Sequence, residues 1–166
     1  MAGARVLVVA HRTAATPRLI DAVRERAGSG DCTFALLVPR TYWDPETEQA
    51  AATIELALPL LEEAAGAHVT AIIGDSDPFA AVRDTLAEGD FTEVLISTLP
   101  ERVSHWLHRD LPARVEKLGL PVTVLTAKSR DIASAAGGNS FPDVLLPHPP
   151  RCHLVHVGAR GRTGDE

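Results

Sequence analysis

The stretch "VLISTLPERVSHWLHRDLPARVEKLGLPVTVL", from Val94 to Leu125, decides the fold class. It begins with the apolar run Val94 to Ile96, continues through a helical pattern and ends with a second apolar run, Val122 to Leu125. Neither run shows a clear alternation of apolar and polar residues, which is typical of strands covered on both faces in a parallel sheet. Gly119 and Pro121 separate the helical pattern from the second run. The stretch therefore predicts a β-α-β unit, in which a helix connects two parallel strands.

The preceding part of the chain repeats this arrangement. Three further apolar runs predict strands at Val6 to Ala10, Phe34 to Val38 and Val69 to Ile73. Apolar residues at helical spacing predict helices over Thr16 to Ala27, Asp44 to Ala65, Pro78 to Gly89 and Leu111 to Leu118. Asp77 is the expected N-cap of the third helix and Gly89 its expected C-cap, while Leu118 is expected to face inward. Strands that alternate with helices through right-handed crossovers predict an α/β fold with a doubly wound, open parallel sheet of five strands and helices on both faces.

The composition excludes several classes of protein. The chain has 166 residues, a formal net charge of −6 and scattered arginines, so we expect no nucleic-acid partner. No apolar stretch approaches the ~18 residues that a membrane span requires. The cysteines, Cys32 and Cys152, are too few for a disulfide framework, and the N-terminal apolar run is too short for a signal peptide. These features predict a cytoplasmic protein without a membrane partner.

The sequence changes character at residue 127. Residues 1–127 carry the five strand patterns and four helical patterns, which predict one α/β domain. Residues 128–166 form an extension rich in Gly, Pro and Ser. Two short apolar pieces in it, Val144 to Leu146 and Leu154 to Val157, could add to the sheet as edge strands or pack on a partner. A flexible tail is the alternative that the composition leaves open.

The predicted domain resembles the universal stress protein family, which belongs to the nucleotide alpha-hydrolase-like group of folds. The resemblance covers Arg5 to Ala127 and rests on three segments: "HRTAATP" after the first strand, "FALLVP" as the second strand, and the last β-α-β unit with its end "LPVTVL". It implies the strand order 3-2-1-4-5. Strands two and three are then added on one side of strand one, and strands four and five on its other side, so the switch point lies between strands one and four. Ligands of such sheets bind at this switch point, beyond the carboxyl ends of the strands.

The resemblance also implies positions for a nucleotide site. In this sequence they are Ala10, His11, Arg12, Thr13, Val38, Ser97, Thr98, Arg109 and Asp110. ATP-binding members of the family carry a glycine-rich loop after strand four and commonly an acidic residue after strand one. Here no glycine occurs from Asp90 to Leu118, and Ala10 and His11 stand where the acidic residue would be. The chain therefore resembles the members without an ATP loop, and we expect no cofactor, with ATP or a related adenine nucleotide as the alternative.

Two arrangements of the loop after strand four are open. In the first, Asp110 is the N-cap of the fourth helix, and its carboxylate fills the place of a bound phosphate. In the second, Arg12, Arg102 and Arg109 hold an anion with their side chains. The first arrangement predicts that nucleotide binding is lost, whereas the second predicts a nucleotide site built from side chains.

The other polar clusters do not indicate a catalytic or metal site. Ser104, Asp110 and either His105 or His108 supply the residue types of a catalytic triad. Residues so close along one helix rarely converge as a triad, because that geometry needs three separate supports. His105 and His108 also have no third metal ligand at a matching spacing. His11 is the better functional candidate, since it follows the first strand at the switch point, although a histidine that caps a strand end is the structural alternative.

These observations and the resemblance together predict a non-enzymatic protein with a stress-response or regulatory role. An adenine-nucleotide sensor that uses side chains at the switch point is the first alternative, and a nucleotide-dependent enzyme of the same fold group is the second. The resemblance further implies a homodimer formed through the last strand, Val122 to Leu125.

Overall fold

The computed structural model of the chain describes residues 3–40, 48–100 and 110–128. The elements in chain order are β1 (Ala4–Val9), α1 (Pro17–Gly28), β2 (Cys32–Pro39), α2 (Glu48–Ala65), β3 (Val69–Gly74), α3 (Pro78–Glu88), β4 (Glu93–Thr98), α4 (Leu111–Glu116) and β5 (Val122–Thr126). Within these residues, no helix combines the length and the apolar character needed to cross a membrane. Residues 101–109 and the extension from residue 129 lie outside the described residues, so the predictions made for them stay predictions.

The five strands pair in parallel in the order β3-β2-β1-β4-β5. The central strand is β1, whose Val8 lies level with Leu36 of β2 and with Leu95 of β4. In the part of the chain that the structure describes, the outer strands of the sheet are β3 and β5. This topology confirms the doubly wound sheet and its strand order.

One face of the sheet packs against α1 and α2. Every second residue of the central strands belongs to this layer, because successive side chains of a strand point to opposite faces. Its fully buried members include Val6, Val8, Leu36 and Val38 of the sheet, Leu19 and Val23 of α1, and Ala57 and Leu61 of α2. The helical spacing of the buried residues explains why α1 and α2 could be predicted from the sequence.

The opposite face packs against α3 and α4. The alternate residues of the same strands form this second layer, together with Val82 of α3 and with Leu111 and Val115 of α4. Its strand members are Leu7, Val9, Ala35, Leu37, Val94 and Ile96. Because both faces of each central strand are buried, the strands appear in the sequence as continuous apolar runs.

The amino-terminal end of α3 confirms the prediction for Asp77. Its carboxylate accepts a hydrogen bond of 3.2 Å from the backbone N–H of Phe79, and Pro78 occupies the first helical position. The prediction that Gly89 is the C-cap at the other end is confirmed, but the backbone conformation that usually favours glycine there is not observed. Gly89 has extended backbone (φ −135°, ψ 149°), not the left-handed conformation of a C-cap. A Cβ at this position would lie 2.5 Å from the ring of Phe91, so the glycine permits close approach of that ring.

The fourth helix is shorter than the sequence predicted. It ends at Glu116, and the chain then turns through Gly119, whose φ of +89° lies in the left-handed region. Leu111 and Val115 are buried as expected, but Leu118 is 41% exposed. The inward orientation expected for Leu118 is therefore wrong, because the helical periodicity stops before it.

Candidate ligand site at the switch point

The switch point lies between β1 and β4, the neighbouring strands from which the chain connections run in opposite directions. From β1 the chain proceeds to β2 and β3 on one side, whereas β4 and β5 lie on the other side. The loops that leave β1 and β4 therefore diverge and form the two lips of a crevice at the carboxyl edge of the sheet. Residues 10–13 form the first lip, and the second consists of residues 97–100, which are the last two residues of β4 and the two that follow them.

A buried hydrogen bond joins the two lips. The hydroxyl of Thr13 donates to the backbone carbonyl of Ser97, with an Oγ1 to O distance of 2.8 Å. Thr13 and Ser97 are each 2% exposed and the adjacent Thr98 is 3% exposed. The buried hydroxyl of Thr13 thus lies against the backbone at the end of β4, between the two lips.

The loop after β1 is held in place by further hydrogen bonds. The backbone N–H of Ala14 donates to the carbonyl of His11 at 3.1 Å, and the N–H of Thr16 donates to the carbonyl of Thr13 at 3.2 Å. The hydroxyl of Thr16 donates to the same Thr13 carbonyl at 2.8 Å. Thr16 immediately precedes α1, and Pro17 opens that helix, so the loop is anchored at its end by a regular element.

The structure brings some of the sequence-predicted site residues together and separates others. Ala10 and Val38 are both fully buried, and their side chains belong to the apolar layer beneath α1 and α2. His11 is half-buried and its Nε2 atom is buried, while Arg12 is exposed. Arg109 lies outside the described residues, as do Arg102 and the histidines of the loop after β4.

Asp110 does not act as predicted. It occupies the N-cap position of α4, and its carbonyl accepts the first helical bond from Arg114, but its side chain makes no capping hydrogen bond. Its backbone is left-handed (φ 48°, ψ 35°), whereas a side chain that caps a helix normally belongs to a residue with extended backbone. The expectation that this carboxylate fills a phosphate position by capping the helix is therefore wrong.

Pro112 is a feature of α4 that the sequence reasoning missed. It stands at the second helical position, where proline has no N–H. The free N–H groups of the first turn are what makes a helix start attractive to phosphate. Because α4 has only six residues and lacks one of these groups, its start is a poor phosphate site.

Substitutions of Asp110 distinguish a capping side chain from a left-handed backbone. Asp110→Gly should unfold at the same urea concentration as the wild type or a higher one, because glycine adopts the left-handed region without strain. Asp110→Ser should lower the free energy of unfolding by about 1 kcal/mol, because serine is strained in the left-handed region even though it is a good capping residue elsewhere. The reverse order of the two variants in urea denaturation would restore the capping account.

A second missed residue is Arg40, which directly follows the last residue of β2. Its backbone N–H and its Nε both donate to the carbonyl of Gly74, at 3.3 and 3.2 Å, so its side chain is tied to the end of β3. The nearby Asp75 carboxylate has its pKa lowered, chiefly because it accepts the backbone N–H of Asp77 and also because of the Ser76 hydroxyl and the Arg40 charge. Arg40 follows a predicted strand directly, and this position in the sequence could have identified it as a residue at the carboxyl edge of the sheet.

The described residues do not include a group of three or more His, Cys, Asp or Glu side chains that could hold a metal ion. Cys32, the cysteine in the described part of the chain, is half-buried, and burial raises the pKa of its thiol. A raised pKa disfavours the thiolate, which is the nucleophilic form. At Cys32 this effect of burial outweighs the opposing effect of the Arg26 charge, so the environment does not favour a reactive cysteine.

Sequence comparison gives no match: no family model matches the chain, and neither does any curated protein. Solved structures do match. A universal stress protein in complex with cAMP has a TM-score of 0.57 and 16% identity, covering 77% of this chain and 100% of its own. A universal stress protein from Archaeoglobus fulgidus has a TM-score of 0.55 and 15% identity, covering 73% and 92%.

A third structure, a universal stress protein family protein from Arabidopsis thaliana with AMP bound, has a TM-score of 0.51 and 16% identity. The superposition covers 78% of this chain and 98% of that chain. The likeness extends over nearly the full length of each of the three proteins, and the strand order observed here is the one that the resemblance implied. The chain therefore has the fold of the universal stress proteins.

Proposed function

We propose that this chain is a non-enzymatic member of the universal stress proteins, with a stress-response or regulatory role in the cytoplasm, and that it does not bind ATP appreciably. The observation that carries the proposal is the state of the crevice at the switch point. Its inner part holds the Thr13 hydroxyl bonded to the Ser97 carbonyl, and both residues are almost fully buried. A ligand in this position would have to displace part of the protein.

The chemistry of the loop after β4 supports the same proposal. A phosphate is held by backbone N–H groups that approach within ~3 Å, and glycine allows this approach because it has no side chain. The sequence from Asp90 to Leu118 has no glycine. Pro100 and Pro112 each remove one N–H, and the exposed carboxylate of Asp110 places negative charge beside the start of α4. Each of these features disfavours a bound phosphate.

The alternative is an adenine-nucleotide sensor that uses side chains. Its support is that two proteins with this fold are described with cAMP and with AMP bound. Arg12 is exposed at the first lip of the crevice, where its guanidinium could reach an anion. A likeness of fold does not carry function by itself, so the ligand must be tested directly.

Calorimetric titration with ATP, AMP and cAMP tests the proposal. We expect no heat of binding for ATP and no rise in the unfolding temperature at millimolar nucleotide. A ligand present at 100 times its dissociation constant would add about 2.7 kcal/mol to the free energy of unfolding. A dissociation constant for ATP in the low micromolar range would overturn the proposal, and its loss in Arg12→Ala would favour the side-chain alternative.

We also propose a homodimer formed through β5. Among the described residues this strand lies at the edge of the sheet, and Val124 in it is 37% exposed. An edge strand leaves backbone N–H and carbonyl groups unpaired, so a soluble protein needs to pair, cover or charge it. A second copy of β5 would pair these groups and cover Val124.

The substitution Val124→Lys should shift the protein from dimer to monomer in sedimentation velocity, because it places a charge in the proposed interface. The matched control is Ile73→Lys on β3, the other edge strand, where Ile73 is 40% exposed. This control should leave the dimer intact. A wild-type protein that sediments as a monomer at tens of micromolar, or equal effects of the two substitutions, would contradict an interface at β5.

A further inference from the structure

The four neighbouring strand pairs of the sheet are joined differently at their carboxyl ends. Beyond the ends of β1, β2 and β5, a backbone N–H continues the pairing with the adjacent strand. Ala10 donates to the Leu37 carbonyl at 3.1 Å, Arg40 donates to the Gly74 carbonyl at 3.3 Å, and Ala127 donates to the Thr98 carbonyl at 2.8 Å. These bonds close the pairs β1–β2, β2–β3 and β4–β5.

In the fourth pair, β1 and β4, a side chain makes a bond at the carboxyl end. The register of this pair ends at Val9 and Ile96, and the next N–H of the first strand, that of Ala10, is directed to β2. The carbonyl of Ser97 instead accepts the hydroxyl of Thr13, from a residue 84 positions away in sequence. A hydroxyl that rotates about one bond thus takes the part that a backbone N–H takes in the other three pairs.

We infer that the hydrogen bond between Thr13 Oγ1 and the Ser97 carbonyl is a latch that holds the loop after β1 to the end of β4, and that the two lips of the switch-point crevice separate more readily when this bond breaks. The bond is buried, and a buried carbonyl left without a donor is costly, which favours the closed state. It also acts in concert with the loop, because the Thr13 carbonyl accepts both the N–H and the hydroxyl of Thr16. The inference rests on the proposed function in that a closed crevice keeps nucleotides out.

Thr16 supplies a matched control for the latch. Thr13 and Thr16 are both buried threonines whose hydroxyls donate to a backbone carbonyl at 2.8 Å. The Thr16 bond stays within the loop, whereas the Thr13 bond crosses the crevice. Valine has the shape of threonine without its hydroxyl, so Thr13→Val and Thr16→Val each remove one buried donor. They differ in whether the lost bond joins the lips.

Native-state hydrogen exchange measured by NMR separates the two roles. In Thr13→Val we expect two amides to exchange about tenfold faster, equivalent to about 1.4 kcal/mol. They are the amide of Ala14, which is bonded to His11 on the first lip, and the amide of Ala127, which is bonded to Thr98 on the second. The exchange rate of the Arg40 amide, which is bonded across the pair β2–β3, should increase less. In Thr16→Val the effect should be confined to the loop and leave Ala127 unchanged. Thr13→Ser keeps the hydroxyl and should retain the protection of Ala127.

Two results in the Thr13→Val variant would overturn the latch. The first is an unchanged exchange rate of the Ala127 amide in Thr13→Val, which would show that the bond stabilises only the loop after β1. The second is an equal acceleration at Ala14, Ala127 and Arg40, which would indicate global destabilisation. If Thr13→Val does not fold, the wild type still decides: the Thr13 hydroxyl proton should exchange slowly enough to be observed, and its rapid exchange with solvent would refute the latch. No nucleotide is present in these measurements, so they are independent of the calorimetric result.

Discussion

Replacing Leu36 by alanine should lower the free energy of unfolding by about 2–5 kcal/mol, the range for removing a fully buried leucine. Leu36 is fully buried in the layer beneath α1 and α2. Its strand β2 lies between β1 and β3, where Leu36 is level with Val8 and Ala71. Paired backbone on both sides limits how far the surroundings can collapse into the space left by the side chain, so we expect the upper half of the range.

Urea denaturation measures this effect, and Leu56→Ala provides the control. Leu56 lies on α2 and is 56% exposed, so its truncation should change the free energy of unfolding by less than about 0.5 kcal/mol. Comparable losses for the two variants, or a loss below about 1 kcal/mol for Leu36→Ala, would contradict the packing described here.

The second large effect is expected at Gly74, the last residue of β3. A Cβ at this position would lie 2.6 Å from the Cβ of Ala81 in α3 and 2.9 Å from Cδ1 of Leu37 in β2. Leu37 could adjust its side chain, but Ala81 can move only with its helix. Gly74→Ala should therefore destabilise the protein by about 1–3 kcal/mol, the usual cost of overpacking.

Gly28→Ala is the matched control for Gly74→Ala. Gly28 is the last residue of α1, and a Cβ there would meet nothing within 4 Å. Alanine has a higher helix propensity than glycine, so this variant should be neutral or slightly more stable than the wild type. Thermal denaturation of both variants measures the difference. If Gly74→Ala and Gly28→Ala unfold at the same temperature, the contact between β3 and α3 is looser than described.

Much of the fold could be predicted because its determinants are local. The apolar runs of Phe34 to Val38 and Val94 to Ile96 show directly that both faces of these strands are buried. The helix start at Asp77 and Pro78 follows from side-chain chemistry within three residues. Strand order came instead from the resemblance to a known family, since apolar runs alone do not state which strands are neighbours.

The details of the candidate site could not be predicted in the same way. The bond from Thr13 to Ser97 joins residues far apart in sequence, and neither residue carries a local signal for it. Asp110 stands before a helix as a capping residue would, but its left-handed backbone depends on how the preceding loop enters α4. Gly89 resembles a helix terminator, and only the position of the Phe91 ring reveals why it is glycine. In each case tertiary contacts override the local pattern.

The central position of β1 has a consequence for the order in which the protein folds. Nearly every buried member of the layer beneath α1 and α2 lies between Val6 and Val69, with Leu95 as the later addition. Pairing of β1 with β2 closes a short loop, whereas pairing of β1 with β4 closes a much longer one at a greater entropic cost. The contacts of the first half of the chain can therefore form at a lower entropic cost than the pairing of β1 with β4, and the open side of β1 must wait for the second half to arrive.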